Sequence, residues 1–146
     1  MSESTDEKVT EELVETLEDG RQGFAQGAEK LEGDGRADAA ATFRRLSEQR
    51  AGFSQELRQM AASYGDQVED KGTVTAKLHR GWMSLKDALS GGGTGVLDAA
   101  GEGESHAVTE YEKALKEDIS GGLRTVVERQ LADIRSAKAE VDALKR

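Results

Sequence analysis

Apolar and small residues recur along this chain at alternating steps of three and four. In the first stretch Leu13, Leu17, Gly20, Phe24, Gly27 and Leu31 share one face, widened by Val14, Ala25 and Ala28. That spacing is the period of an amphipathic helix and predicts one from about Asp6 to Leu31. Glu32-Gly33-Asp34-Gly35 then supplies turn chemistry and a left-handed stop. Phe43, Leu46, Arg50, Phe53, Leu57, Met60 and Tyr64 repeat the pattern and predict a second helix from about Ala37 to Tyr64, closed by Gly65-Asp66.

Val74, Leu78, Trp82, Leu85 and Leu89 form a shorter amphipathic stretch that ends at Ser90-Gly91-Gly92-Gly93. A third long helix is predicted from about Thr94 to Ile119. Its inward track is Leu97, Ala100, Glu104, Ala107, Tyr111, Leu115 and Asp118, with Val108 and Ile119 beside it. Ser120-Gly121-Gly122 breaks the chain again. The last helix runs from about Leu123 to Leu144 on Leu123, Val127, Gln130, Ile134, Ala137, Val141 and Leu144. Tight links after the first and fourth segments make two antiparallel hairpins. The piece from Gly65 to Gly93 is long enough to cross from one end of a bundle to the other. The expected fold is all-α: a ferritin-like four-helix bundle of two hairpins joined by a crossover that contains a short fifth helix.

Composition agrees with this pattern. The chain has 146 residues and no proline, which suits uninterrupted helices in one domain over 1–146, with 1–5 as a flexible end. A net charge of −9 disfavours nucleic acid and anionic membrane as partners. No run of about 18 apolar residues is present to span a bilayer, and the acidic, polar first residues are unlike a secretory signal. The expectation is a cytoplasmic protein. The absence of cysteine removes thiol catalysis and thiolate metal sites.

Arg50, Glu104 and Gln130 are polar residues on otherwise apolar tracks. Polar groups at such positions either ligate a metal or cofactor or partner one another, because burying them unpaired is costly. A guanidinium–carboxylate pair with Gln130 as third partner satisfies all of them. The other arrangement has Arg50 reaching the surface along its aliphatic stem.

Several segments resemble the domain-of-unknown-function 2383 (DUF2383) family: Leu17-Glu18-Asp19-Gly20-Arg21-Gln22-Gly23-Phe24, then Ser47-Glu48-Gln49-Arg50-Ala51-Gly52-Phe53 with Glu56-Leu57. The most specific is Leu78-His79-Arg80-Gly81-Trp82-Met83 with Leu85-Lys86. Glu102-Gly103-Glu104 with Tyr111, and Glu128-Arg129-Gln130-Leu131, extend it. The resemblance implies a four-helix ferritin-like fold and no particular reaction. More distant ferritin-like proteins include di-iron carboxylate proteins, which raises the question of metal ligands residue by residue.

A di-iron bundle site takes a Glu from each of two helices and a Glu-x-x-His motif from each of the other two. Here the candidates are Glu48-x-x-Ala51 and Glu128-x-x-Leu131, and both lack the histidine. Glu48 and Glu128 also fall off the inward tracks, and Arg50 brings a fixed cation to the depth where a metal would sit. The leading expectation is therefore a non-enzymatic bundle with no cofactor and a polar core layer of Arg50, Glu104 and Gln130. Its role would be structural or interactive, and a stress-related one is suggested by analogy of fold alone. The alternative is an iron or manganese oxidase or storage protein using Glu18, Glu48, Glu104 and Glu128.

The remaining candidates have plainer readings. Trp82 is expected to cap the bundle while His79 and Arg80 face water. His106, with Glu102 and Glu110 four residues away on either side, reads as a solvated pair. Gly91-Gly92-Gly93 lacks the strand and the Gly-Lys-Ser/Thr of a phosphate loop. Gly20, Gly23 and Gly27 each cost about 1 kcal/mol inside a helix, which calls for close approach of another helix, from this chain or from a second copy in a homodimer. Another protein partner is the remaining expectation.

Overall fold

The computed structural model describes residues 4–63, 80–91 and 95–145. They form helices α1 (Thr5–Gly33), α2 (Ala37–Ser63), α3 (Leu85–Ser90), α4 (Gly95–Leu115) and α5 (Gly121–Leu144), with a short 3-10 turn at Arg80–Trp82 before α3. No strand occurs among the described residues. Tyr64, Gly65, Asp66, Val74, Leu78, His79, the Gly92-Gly93-Thr94 stretch and the side chain of Arg80 lie outside the described residues. Ser4 and Thr5, expected in a flexible end, instead cap and open α1: the Ser4 side chain accepts from the Glu7 amide at 3.0 Å.

Local chemistry sets the other ends. After α1 the Gly35 amide donates to Glu32 O at 3.1 Å and the Arg36 amide to Leu31 O at 2.8 Å. This is a Schellman closure, and it needs the left-handed φ of 82° that Gly35 adopts. Helix α4 stops at Leu115, earlier than the periodicity implied. Arg124 of α5 takes over its end, donating to Leu115 O at 2.8 Å and Glu117 O at 3.0 Å. Asp118, expected on the inward track, is therefore past the helix and exposed, while Ile119 still packs inward.

Helix α1 packs against α2 and α4, and α5 packs against α4 and, more sparsely, α2. The start of α1 lies beside the end of α4, where Val9, Leu13 and Ala114 meet, and its later part lies near Val96 at the start of α4. The four long helices thus run up, down, down and up, with α2 and α4 across the diagonal. The chain between α2 and α4 joins opposite ends of the bundle. Arg36 closes one end by donating to Leu144 O, and Asp6 closes the other by accepting from the Ser120 amide.

The core is in two apolar parts. One gathers Phe24, Leu31, Phe43, Leu46, Leu97, Ala137 and Val141 with Trp82 and Leu85 from the crossover. The other gathers Val14, Leu17, Leu57, Tyr111, Val127 and Ile134. Trp82 does not cap the bundle. It is 2% exposed and lies inside, between α1 and α4. A Cβ on Gly23 would stand 2.3 Å from its ring, and one on Gly103 2.2 Å from it. Its ring meets Phe24 edge-on at 4.9 Å.

The glycines of α1 thus answer to side chains of their own chain. Gly23 admits Trp82 and Gly27 admits Phe43, while a Cβ on Gly20 would make only ordinary contact with Arg50. All three are buried inside the bundle, so this face is not a surface for a second copy.

Because indole and backbone cannot yield cheaply, Gly103→Ala should destabilise the fold by about 1–3 kcal/mol and shift the emission of Trp82, the single tryptophan, to the red. Gly52 is exposed in mid-α2 with open space around it, so Gly52→Ala should stabilise by about 0.5–1 kcal/mol. Urea titration followed by circular dichroism and fluorescence measures both.

Candidate functional site

Between the two apolar clusters lies a belt of polar side chains. Phe43 and Leu46 precede Arg50 on the inner face of α2 and Leu57 follows it, while Glu104 stands between Ala100 and Ala107 on α4. Helical phase turns both into the bundle, where Arg50 is 1% exposed and Glu104 0%. The two join across the diagonal: Nη1 donates to Glu104 Oε1 at 2.5 Å and Nη2 to Oε2 at 2.7 Å. The third guanidinium donor, Nε, reaches Gln49 Oε1 at 3.2 Å. Phe24 presents its ring face 5.3 Å from the guanidinium carbon, a cation–π contact.

A fork-on-fork pair suits this place because the planar guanidinium matches both carboxylate oxygens at once. With both side chains buried, the Glu104 carboxylate answers chiefly to Arg50, and the guanidinium to Glu104 with help from Gln49 and the Phe24 ring. Such a pair adds little net stability against an apolar replacement, but removal of one partner leaves a buried charge.

Gln130, expected as the third member, is fully buried but bonds elsewhere. Its Oε1 accepts from the Tyr111 hydroxyl at 2.7 Å, and its Nε2 donates to Glu56 Oε1 at 2.9 Å and to Phe53 O at 3.4 Å. Glu56 also accepts from Arg129 on the surface. A second polar group therefore runs from the buried Tyr111 outward to an exposed ion pair. Burial pushes the Tyr111 phenol well above its ordinary range, so it remains a neutral donor. Tyr111 and Glu56 were not legible as a site: the first reads as core, and the second reads as a helix-face charge. Ser54 is the third buried element of the belt, and its hydroxyl has no hydrogen-bond partner among the described residues.

The carboxylates of the di-metal alternative do not come together. Glu48 is exposed, and Glu128 lines a surface groove between α4 and α5 with Glu112, Lys116 and Arg135. Glu18 is buried at 2% exposure, yet it accepts from Arg21 Nε at 2.6 Å on its own helix. Glu104 is taken by Arg50. Among the described residues no three His, Cys, Asp or Glu side chains are grouped to hold a metal ion. His106 is not a solvated pair with Glu102 and Glu110. It is half-buried, its imidazole packs against Gly81, and its Nε2 is buried without a partner among the described residues. Glu102 instead accepts from Ser84 at 3.3 Å.

Loss of one charge from the pair should be far worse than loss of both. Glu104→Gln should cost about 3–5 kcal/mol, whereas Arg50→Met with Glu104→Met should be close to neutral or stabilising. Tyr111→Phe should cost about 1–2 kcal/mol, since Gln130 Oε1 loses its donor. Equilibrium unfolding of the variants provides the comparison.

No curated protein and no solved structure matches the chain. A family model described as "Domain of unknown function (DUF2383)" matches residues 7–117, which take in α1, α2, the crossover and α4, the elements that carry the Arg50–Glu104 pair and the Trp82 slot. That match spans most of the chain and leaves α5 outside it, and the chain belongs to the DUF2383 family.

Proposed function

We propose that this protein is a ferritin-like bundle with a structural or protein-interaction role, in which an internal ion pair occupies the position of a metal centre. The observation that carries the reading is the bidentate Arg50–Glu104 pair at the centre of the bundle. A guanidinium is permanently charged, so it repels a divalent ion at that depth and competes for the carboxylate a metal would need. The up-down-down-up order of the helices and the end-to-end crossover support the ferritin-like assignment.

Other features fit a scaffold better than a catalyst. The belt holds no His beside a carboxylate at metal-ligand spacing, and Tyr111, Gln130 and Glu56 are bonded to one another rather than aimed into a cleft. No helix among the described residues is long and apolar enough to cross a membrane. With a net charge of −9, the surface is suited to a basic protein face, or to a second copy through mixed-charge contacts, rather than to nucleic acid. A stress-related role rests on fold analogy alone.

Elemental analysis after purification without chelators, and again after incubation with Fe(II) or Mn(II), tests the reading. Metal well below stoichiometric is the expected result. Stoichiometric iron or manganese that disappears in Glu104→Gln would overturn it in favour of the di-metal alternative.

A further inference from the structure

The described part of the crossover is anchored in the core by Trp82 and Leu85, and the tighter fit is that of Trp82. Trp82 fills a slot whose two walls are the backbones of α1 at Gly23 and α4 at Gly103, and neither wall has room for a methyl group. Gly81 fits beside it against His106 in the same manner: a Cβ there would stand 2.4 Å from His106 Cβ. Ser84 adds a hydrogen bond to Glu102.

The slot lies next to the buried ion pair, one residue removed from it on each side. On α1, the Trp82 ring abuts the Phe24 ring, and the Phe24 ring carries the Arg50 guanidinium on its face. On α4, Gly103 immediately precedes Glu104. The indole is therefore the spacer between α1 and α4 beside the level where Arg50 and Glu104 must meet. A bidentate pair with donor distances of 2.5 and 2.7 Å tolerates little shift of either helix, because hydrogen bonds weaken steeply with misalignment.

We propose that docking of the 3-10 turn and closure of the Arg50–Glu104 pair are one conformational unit, with Trp82 as the positioning residue that couples them. When the turn leaves its slot, α1 and α4 lose their spacer, Phe24 loses its edge contact, and the pair loosens. Coupling free energies are reciprocal, so removal of the charges must in turn loosen the hold on Trp82. The bundle thus contains a mechanical link from the crossover turn to its buried charges. The link stands whether or not the pair replaces a metal centre.

The single tryptophan makes the link measurable in the full chain. In Trp82→Leu, amide exchange over residues 100–107 of α4 should rise about tenfold or more relative to residues 127–134 of α5. In Arg50→Met with Glu104→Met, acrylamide quenching of Trp82 should increase about twofold or more, although the double variant should be close to the parent in stability or above it. Equal acceleration of both segments in Trp82→Leu would reduce Trp82 to a general core residue and overturn the proposal. Parental quenching in the charge-free double variant would overturn it as well. If Trp82→Leu does not fold, the quenching of the double variant decides alone.

Discussion

A buried guanidinium facing a buried carboxylate constrains everything around it. Arg50 and Glu104 cannot be separated without leaving a charge in apolar surroundings, a penalty comparable to much of a small domain's stability. Because they sit on α2 and α4, which are diagonal in the bundle, the pair restricts where each of those helices can slide and turn. An apolar centre would tolerate neighbouring registers. A bidentate contact does not.

The rest of the belt follows from the same demand that buried polar groups find partners. Gln130 is fully buried, and it uses its oxygen for Tyr111 and its amide for Glu56 and Phe53 O, so its obligations are met without drawing on the ion pair. Glu56 is bound in turn to Arg129 at the surface. The belt separates two apolar clusters, and Trp82 belongs to the cluster that contains Phe24. The crossover is thus packed into the core at the side where the Arg50 guanidinium rests on an aromatic ring, and the far cluster is built, among the described residues, from the four long helices and Ile119 of the link between α4 and α5.

How far the chain could be read in advance depended on whether the signal was local. The phase of Leu46, Arg50 and Leu57, and of Ala100, Glu104 and Ala107, turns Arg50 and Glu104 inward, and helix phase is a property of neighbouring residues. The pairing partner of Gln130 is not. It depends on the relative height of α4 and α5, since Glu104 and Tyr111 lie about two helical turns apart on α4. Trp82 was misjudged for a related reason: an aromatic ring among glycines reads as surface capping unless the glycines facing it are known, and Gly23 and Gly103 are distant in sequence. His106 likewise looked solvated because only its own helix was in view, and the turn that covers it comes from the crossover.

The sequence by itself determined the helices, most of their inward faces, the left-handed stop at Gly35 and membership in an all-α family, because periodicity and turn chemistry act over a few residues; the Ser4 cap and the early end of α4 were not read from it. It also placed two opposite charges where burial would force them to find partners. Only the tertiary structure decided how these obligations were met: that Arg50 and Glu104 pair without Gln130, that Gln130 turns to Tyr111 and Glu56, and that glycines on two helices admit one indole. Those outcomes rest on helix heights and separations, which are set by the packing of all the side chains together and are written in no single stretch of the chain.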